Sequence, residues 1–215
     1  MNLEELNKKY LALDPESRIR ELYKDFGKVL FTSSFGTTSG VLLHLFHKVR
    51  PQETVYFLDT TYHFNETLSY KEELTAKLKL NVVDVKAEEW KNKFTLQDKT
   101  WNTDPDLCCS INKVEPIDKI KIKYDVWVSG LMASQNTFRE NLRILEQKEG
   151  IIKFYPLIDK NEAYVRAYMK ENELPEHPLL SQGYNSVGCF HCTVAGKGRS
   201  GRWVNKSKTE CGLHL

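Results

Sequence analysis

Short β-type runs alternate with helical runs along most of this chain, and that alternation restricts the fold more than any other feature. Residues 28–32 (KVLFT) read as a strand. They run into Ser33-Ser34-Phe35-Gly36-Thr37-Thr38-Ser39-Gly40, a stretch of turn chemistry, and then into 41–49 (VLLHLFHKV), apolar on most faces as a buried helix would be. The rhythm repeats with a strand at 54–58 ending at Asp59-Thr60, a helix from Asn65 to about 80, and a strand at 81–85. A strand at 124–128 ends at Ser129-Gly130, and a helix over about 134–147, a strand at 151–158 and a helix at 161–171 follow. Upstream, Asp14-Pro15 reads as an N-cap and first turn, with Ile19, Leu22, Tyr23 and Phe26 at helical spacing. The expected fold is α/β, a mostly parallel sheet with helices on both faces. Ligands in such sheets sit beyond the carboxyl ends of strands. The loops after Thr32, Leu58 and Val128 open on that edge.

Charge and composition exclude several classes. With 215 residues and 40% hydrophobic content the chain can bury a sizeable core. A balance of 31 Lys+Arg against 29 Asp+Glu gives no general attraction to nucleic acid or an anionic membrane, so any anion site must be local. The segment MNLEELNKKY is acidic and amphipathic, unlike a signal peptide, and no apolar run approaches the roughly 20 residues of a membrane span. A cytoplasmic protein is expected, with no nucleic-acid or membrane partner.

The five cysteines are odd in number and uneven in placement. Cys108 and Cys109 are adjacent, Cys189 and Cys192 form a CxxC, and Cys211 stands alone near the end. Thiols in a reducing compartment serve more often as metal ligands or reactive groups than as bridges. Tetrahedral zinc is one use of four cysteines, but its ligand pairs are usually separated by two to four residues. Adjacent cysteines point apart unless the backbone bends, and a [4Fe–4S] cluster tolerates that spread better. Buried packing is a third use.

The Ser-rich loop offers hydroxyls and backbone N–H groups to an anion at a helix N-terminus, although a capped turn has the same composition and the P-loop ending is absent. Near the end, Gly198-Arg199-Ser200-Gly201-Arg202-Trp203 precedes Glu210-Cys211-Gly212-Leu213-His214. A thiol on a terminal segment can close over a substrate and later meet a second protein. It needs positive neighbours to ionise near neutrality; Lys208, His214, Arg199 and Arg202 are candidates, and Glu210 opposes them.

Together these residues resemble the assimilatory sulfonucleotide reductases, specifically the iron–sulfur, thioredoxin-dependent adenylylsulfate (APS) reductases. The resemblance runs from about Phe31 to His214. It rests on the Ser-Ser-Phe-Gly loop, Phe57-Leu58-Asp59-Thr60, Cys108-Cys109 leading to Lys113-Val114-Glu115-Pro116, Gly188-Cys189-x-x-Cys192-Thr193, Arg199-x-Gly201-Arg202-Trp203, and the terminal Glu-Cys-Gly-Leu-His.

The resemblance implies an adenine-nucleotide alpha hydrolase-like fold with a mobile C-terminal tail. Residues 1–185 would form the α/β nucleotide-binding domain with a cluster-binding insertion, and 186–215 a segment carrying the CxxC and the catalytic tail. It implies reduction of APS to sulfite and AMP, with Cys211 attacking sulfur to give a thiosulfonate that thioredoxin resolves. Cys108, Cys109, Cys189 and Cys192 would hold a [4Fe–4S] cluster. Ser33, Ser34 and Gly36 would bind the phosphosulfate, and Leu58, Asp59 and Thr60 would border the adenosine. Lys113 would lie between cluster and substrate, Arg199 and Arg202 would hold oxyanions, and His214 would assist. A homo-oligomer is expected.

One stretch departs from the pattern. Many relatives carry two arginines after the Ser-Gly of the later strand; here Met132-Ala133-Ser134-Gln135 follows Leu131, and Arg139 is the remaining match to a basic position. Three other readings stand beside APS reduction. Enzymes resembling the 3′-phosphoadenylylsulfate (PAPS) branch usually lack the paired cysteines and keep the terminal one. An ATP-pyrophosphatase-type nucleotidyl transferase gives Cys211 no purpose. A zinc-bound binding module predicts a colourless protein.

Overall fold

The computed structural model describes residues 2–148 and 150–213. Two helices, α1 (Leu3–Leu11) and α2 (Pro15–Asp25), lead into the sheet. Asp14 caps α2 as the sequence predicts, its carboxylate accepting from Ser17 N at 3.0 Å. The strands are β1 (Val29–Ser33), β2 (Thr54–Leu58), β3 (Asn81–Val85), β4 (Val126–Val128), β5 (Leu145–Lys148) and β6 (Ile151–Phe154). They lie in the order β3-β2-β1-β4-β6-β5. All pairs are parallel except β5 with β6, where Leu145 faces Phe154 and Lys148 faces Ile151.

The strand order has a functional consequence. From β1 the chain steps outward through β2 to β3, then returns to place β4 on the other side of β1. The crevice between the carboxyl ends of β1 and β4 is therefore the topological switch point, where open α/β sheets bind ligands. Both strands are buried over their apolar runs, Val29 to Phe31 and Val126 to Val128, as parallel strands covered on two faces must be.

Helices α3 (Ser39–Val49), α4 (Asn65–Leu78) and α10 (Glu162–Glu171) continue the alternation. Phe31 stacks on Phe46 of α3, ring centroids 4.0 Å apart, in the larger of two core clusters. A smaller cluster on the opposite sheet face gathers Leu30, Ile117, Trp127 and Ile151. Asn65 is the first residue of α4; the cap position is Phe64, which makes no side-chain capping bond. Between β3 and β4 lies a helical insertion of α5 (Glu89–Gln97), α6 (Thr100–Thr103), α7 (Pro105–Cys109), a π-helical turn (Ser110–Val114) and α8 (Glu115–Lys121).

The helix expected over 134–147 is not formed. Asn136 is fully extended and caps a single turn, α9 (Thr137–Glu140), its carboxamide accepting from Arg139 N at 2.9 Å. The chain then buries Ile144 and Leu145 and pairs as β5. Edge pairing with β6 outweighs a helical propensity that this polar stretch carries only weakly. For the same reason the strand expected over 151–158 stops at Phe154, where β5 ends its pairing. Among the described residues no helix is long and apolar enough to cross a membrane.

Candidate active site

A pocket opens at the switch point. The β1–α3 loop supplies Ser33, Ser34, Gly36, Thr37, Thr38 and Ser39 to its wall, and the turn after β4 supplies Ser129 and Gly130. Leu58, at the end of β2, lines it too. Asp59 does not: its carboxylate accepts from Thr61 N at 2.8 Å and pairs with Lys86 at 3.0 Å. Thr60 faces a second, smaller pocket, with its hydroxyl 3.3 Å from Cys189 Sγ. In place of those two, His63 reaches the first pocket, Nε2 lying 3.1 Å from Leu58 O; burial pushes its imidazole down to about 4, so it is neutral at ordinary pH.

The far wall of the first pocket is basic. Lys113, Arg139, Arg199 and Arg202 all line it, together with Cys211. Arg199 and Arg202 each leave a buried Nε without a partner among the described residues, as does the Ser129 hydroxyl. Buried donors of this kind are costly unless a ligand satisfies them. Burial, and then the neighbouring Arg139, bring the Arg199 guanidinium down to about 10, so an anion here relieves both desolvation and repulsion. Arg202 donates to Val187 O at 3.2 Å and lies over the Trp203 ring at 4.4 Å. Gly188 permits this placement, since a Cβ there would fall 2.2 Å from Arg202 Nη2.

One carboxylate sits among these cations. Glu210 is 3% exposed and accepts from Arg139 Nε at 2.6 Å, Arg139 Nη2 at 2.8 Å, Asn136 Nδ2 at 2.9 Å and Arg199 Nη2 at 3.2 Å. Burial alone would raise its carboxyl, but the Arg139 hydrogen bonds and the two guanidinium charges outweigh that and hold it below the usual range. The segment expected to be mobile is thus pinned immediately before Cys211 in this structure. Lys208 also ties it to Asp106 of α7. His214 lies outside the described residues.

The other four cysteines, Cys108, Cys109, Cys189 and Cys192, line the second pocket, with Lys113 and Arg202 shared between the two. Cys108 and Cys109 end α7, and the wide turn after them buries Asn112, whose amide donates to Cys108 O and to Thr95 Oγ1, both at 3.0 Å. On the opposite wall, Cys192 N donates to Cys189 O at 3.0 Å, and His191 between them stacks on Trp101 with centroids 3.7 Å apart. Burial, then the neighbouring thiols, push Cys108 up to about 12. Burial pushes Cys109 up to about 11 against the pull of Lys113. Among the described residues no three His, Cys, Asp or Glu side chains stand at the spacing of a single metal ion. Lys113 feels the opposite field: burial disfavours its ammonium, but the sulfurs of Cys189, Cys211 and Cys109 raise it overall.

Sequence reasoning missed His63, Asn136 and the anchoring of Glu210, because these roles come from tertiary neighbours with no local signature.

Comparison with known proteins agrees with this geometry. The chain is similar to the adenosine 5′-phosphosulfate reductase of Halalkalibacterium halodurans, 37% identical over 100% of this chain and 97% of the other. It is similar also to the phosphoadenosine 5′-phosphosulfate reductase of Gloeobacter violaceus, 35% identical over 99% of this chain and 93% of the other. The crystal structure of phosphoadenylyl-sulfate reductase from Candida auris, in complex with phosphate, superposes with a TM-score of 0.78 at 30% identity, over 89% of this chain and 95% of that one. The family model described as phosphoadenosine phosphosulfate reductase domain matches residues 28–195. The chain belongs to that reductase family.

Proposed function

We propose that this protein reduces adenylylsulfate to sulfite and AMP, with Cys211 as the nucleophile and thioredoxin, or a similar dithiol, as the reductant, in cytoplasmic sulfate assimilation. The observation that carries the reading is the shared pocket: Cys211, the β1–α3 loop and four basic side chains face one crevice.

The residues divide the work by chemistry. The adenosine lies toward Leu58, and the phosphosulfate lies between the Ser33-Ser34-Gly36 loop and the arginines. Arg199 and Arg202 neutralise its oxygens, using the Nε groups that otherwise lack partners. The Cys211 thiolate attacks the sulfate sulfur, the sulfur–oxygen bond to AMP breaks, and AMP leaves with that electron pair. A Cys211 thiosulfonate remains. A thioredoxin thiolate then attacks the Cys211 sulfur, sulfite leaves, and the second thioredoxin thiol reduces the mixed disulfide. Both electrons come from the dithiol. Lys113, shared by the two pockets, offsets the negative charge that the thiolate approaches.

The donor set of the second pocket fits an iron–sulfur cluster. Burial raises the proton affinities of Cys108, Cys109 and Cys192, so a positive core would be needed for them to ionise together, and a donor set without the spacing of a single ion suits separated irons. Cys108, Cys109, Cys189 and Cys192 would hold a [4Fe–4S] core, which with its four thiolates would supply a net charge of about −2 and no required electron.

The PAPS reading is favoured by one observation, the similarity to relatives carrying that name. The four paired cysteines favour APS. Steady-state turnover of each nucleotide, followed by sulfite release, tests the choice: a strong preference for APS is expected, and a strong preference for PAPS would overturn it.

A further inference from the structure

Lys153 lies outside the substrate pocket, on β6, and is 4% exposed. Its Nζ sits 3.2 Å from the centroid of the Trp127 ring and donates to the Leu213 carbonyl at 2.7 Å. That carbonyl belongs to the tail just beyond Cys211. The Leu213 side chain packs against the cluster of Leu30, Ile117, Trp127 and Ile151. Gly212, between Cys211 and Leu213, has φ +87°, which folds the chain back toward the sheet at no steric cost. A Cβ there would stand 3.4 Å from Val114 Cγ2.

Burying an ammonium is expensive unless it is hydrogen-bonded. Lys153 meets this cost with one tail carbonyl and one aromatic face. On the other flank of Cys211, Glu210 is held by Arg139, Arg199 and Asn136. The reactive thiol is therefore fastened on both sides, by groups from different elements. A single lysine-to-carbonyl hydrogen bond, which the amine or the ammonium can donate, biases the tail toward this seat and is weak enough to release in each cycle.

We propose that Lys153, seated on Trp127, is a positioning residue that fastens the tail beyond Cys211 and thereby aims its thiol into the substrate pocket. Release of this fastening exposes the sulfur to the reductant. The proposal rests on Cys211 being the nucleophile.

The test uses full-length holoenzyme with Lys153→Met, and with Leu213→Ala in case the first variant folds poorly. Site-resolved alkylation of Cys211 by iodoacetamide, without nucleotide, reads tail docking independently of any activity. Single-turnover mixing with APS and no reductant reads adduct formation, and thioredoxin addition to the preformed adduct reads release. Losing the fastening is expected to speed alkylation and slow adduct formation by about ten-fold or more, with release unchanged or faster. Alkylation and adduct formation within about two-fold of the parent enzyme in both variants would overturn the proposal. If the parent enzyme forms no adduct, the reading of Cys211 as nucleophile fails, while alkylation still reports on the fastening.

Discussion

Arg139 grips Glu210 with two hydrogen bonds, 2.6 Å from Nε and 2.8 Å from Nη2, and so places a tail carboxylate in the basic wall of the pocket at the switch point. Both side chains are nearly inaccessible, at 6% and 2% exposed. Arg139 is thus committed to the residue preceding Cys211. The same guanidinium lines the pocket and holds the tail carboxylate.

Glu210→Gln keeps the shape and removes the charge. Breaking a buried pair costs about 3–5 kcal/mol, most of it from the cations left uncompensated. The expected result is at least about ten-fold slower turnover and faster Cys211 alkylation, with AMP affinity retained or increased because the guanidinium groups are freed. Unchanged alkylation and turnover would show that this pair does not hold the tail.

Gly188→Ala tests how Arg202 is placed. The added Cβ would meet the guanidinium at 2.2–2.9 Å, and the side chain would have to leave its seat between Val187 O and Trp203. A raised KM for the sulfonucleotide with an unchanged thermal midpoint is expected. A KM equal to that of the parent would contradict the assigned position of Arg202.

Iron and sulfide analysis tests the second pocket. The purified chain should be brown and carry about four irons and four sulfides, and Cys109→Ser and Cys192→Ser should each lose them while keeping the far-UV signature of the α/β fold. Stoichiometric zinc in a colourless protein would contradict the cluster assignment.

Lys153 gives a pH signature. Burial, then Lys121 and Lys148, pull its ammonium down to about 7 against the opposing pull of Asp118 and Cys211. Between that value and 10.5 the unfolded chain holds a proton that the folded chain lacks, so stability rises with pH across this window. Denaturant unfolding from about pH 7 to pH 9 should show a steeper gain in the parent than in Lys153→Met. Parallel profiles would contradict the depressed lysine.

The sequence patterns were sufficient where local chemistry decides structure. The Asp14-Pro15 cap, the β1–loop–α3 unit and the cap at Asn161, which accepts from Tyr164 N at 3.0 Å, all follow from residues within a few positions of one another. The segment 134–147 departs from the expected helix because its fate depends on β6, the strand it pairs with, and edge pairing has no strong local signature. Glu210 illustrates the same limit at the site. In the sequence it is a charge that opposes a neighbouring thiolate; in the fold, Arg139, Arg199 and Asn136, from three separate positions, make it the anchor. Lys153 carries no motif at all, and its role emerges only when β6 sets it beneath the tail.

The sulfur of Cys211 is where the proposed chemistry begins. Mass spectrometry after mixing the full-length protein with adenylylsulfate and no reductant should find a sulfonate on Cys211, absent from Cys211→Ser and discharged as sulfite by thioredoxin. An unmodified Cys211 alongside normal sulfite production would contradict it.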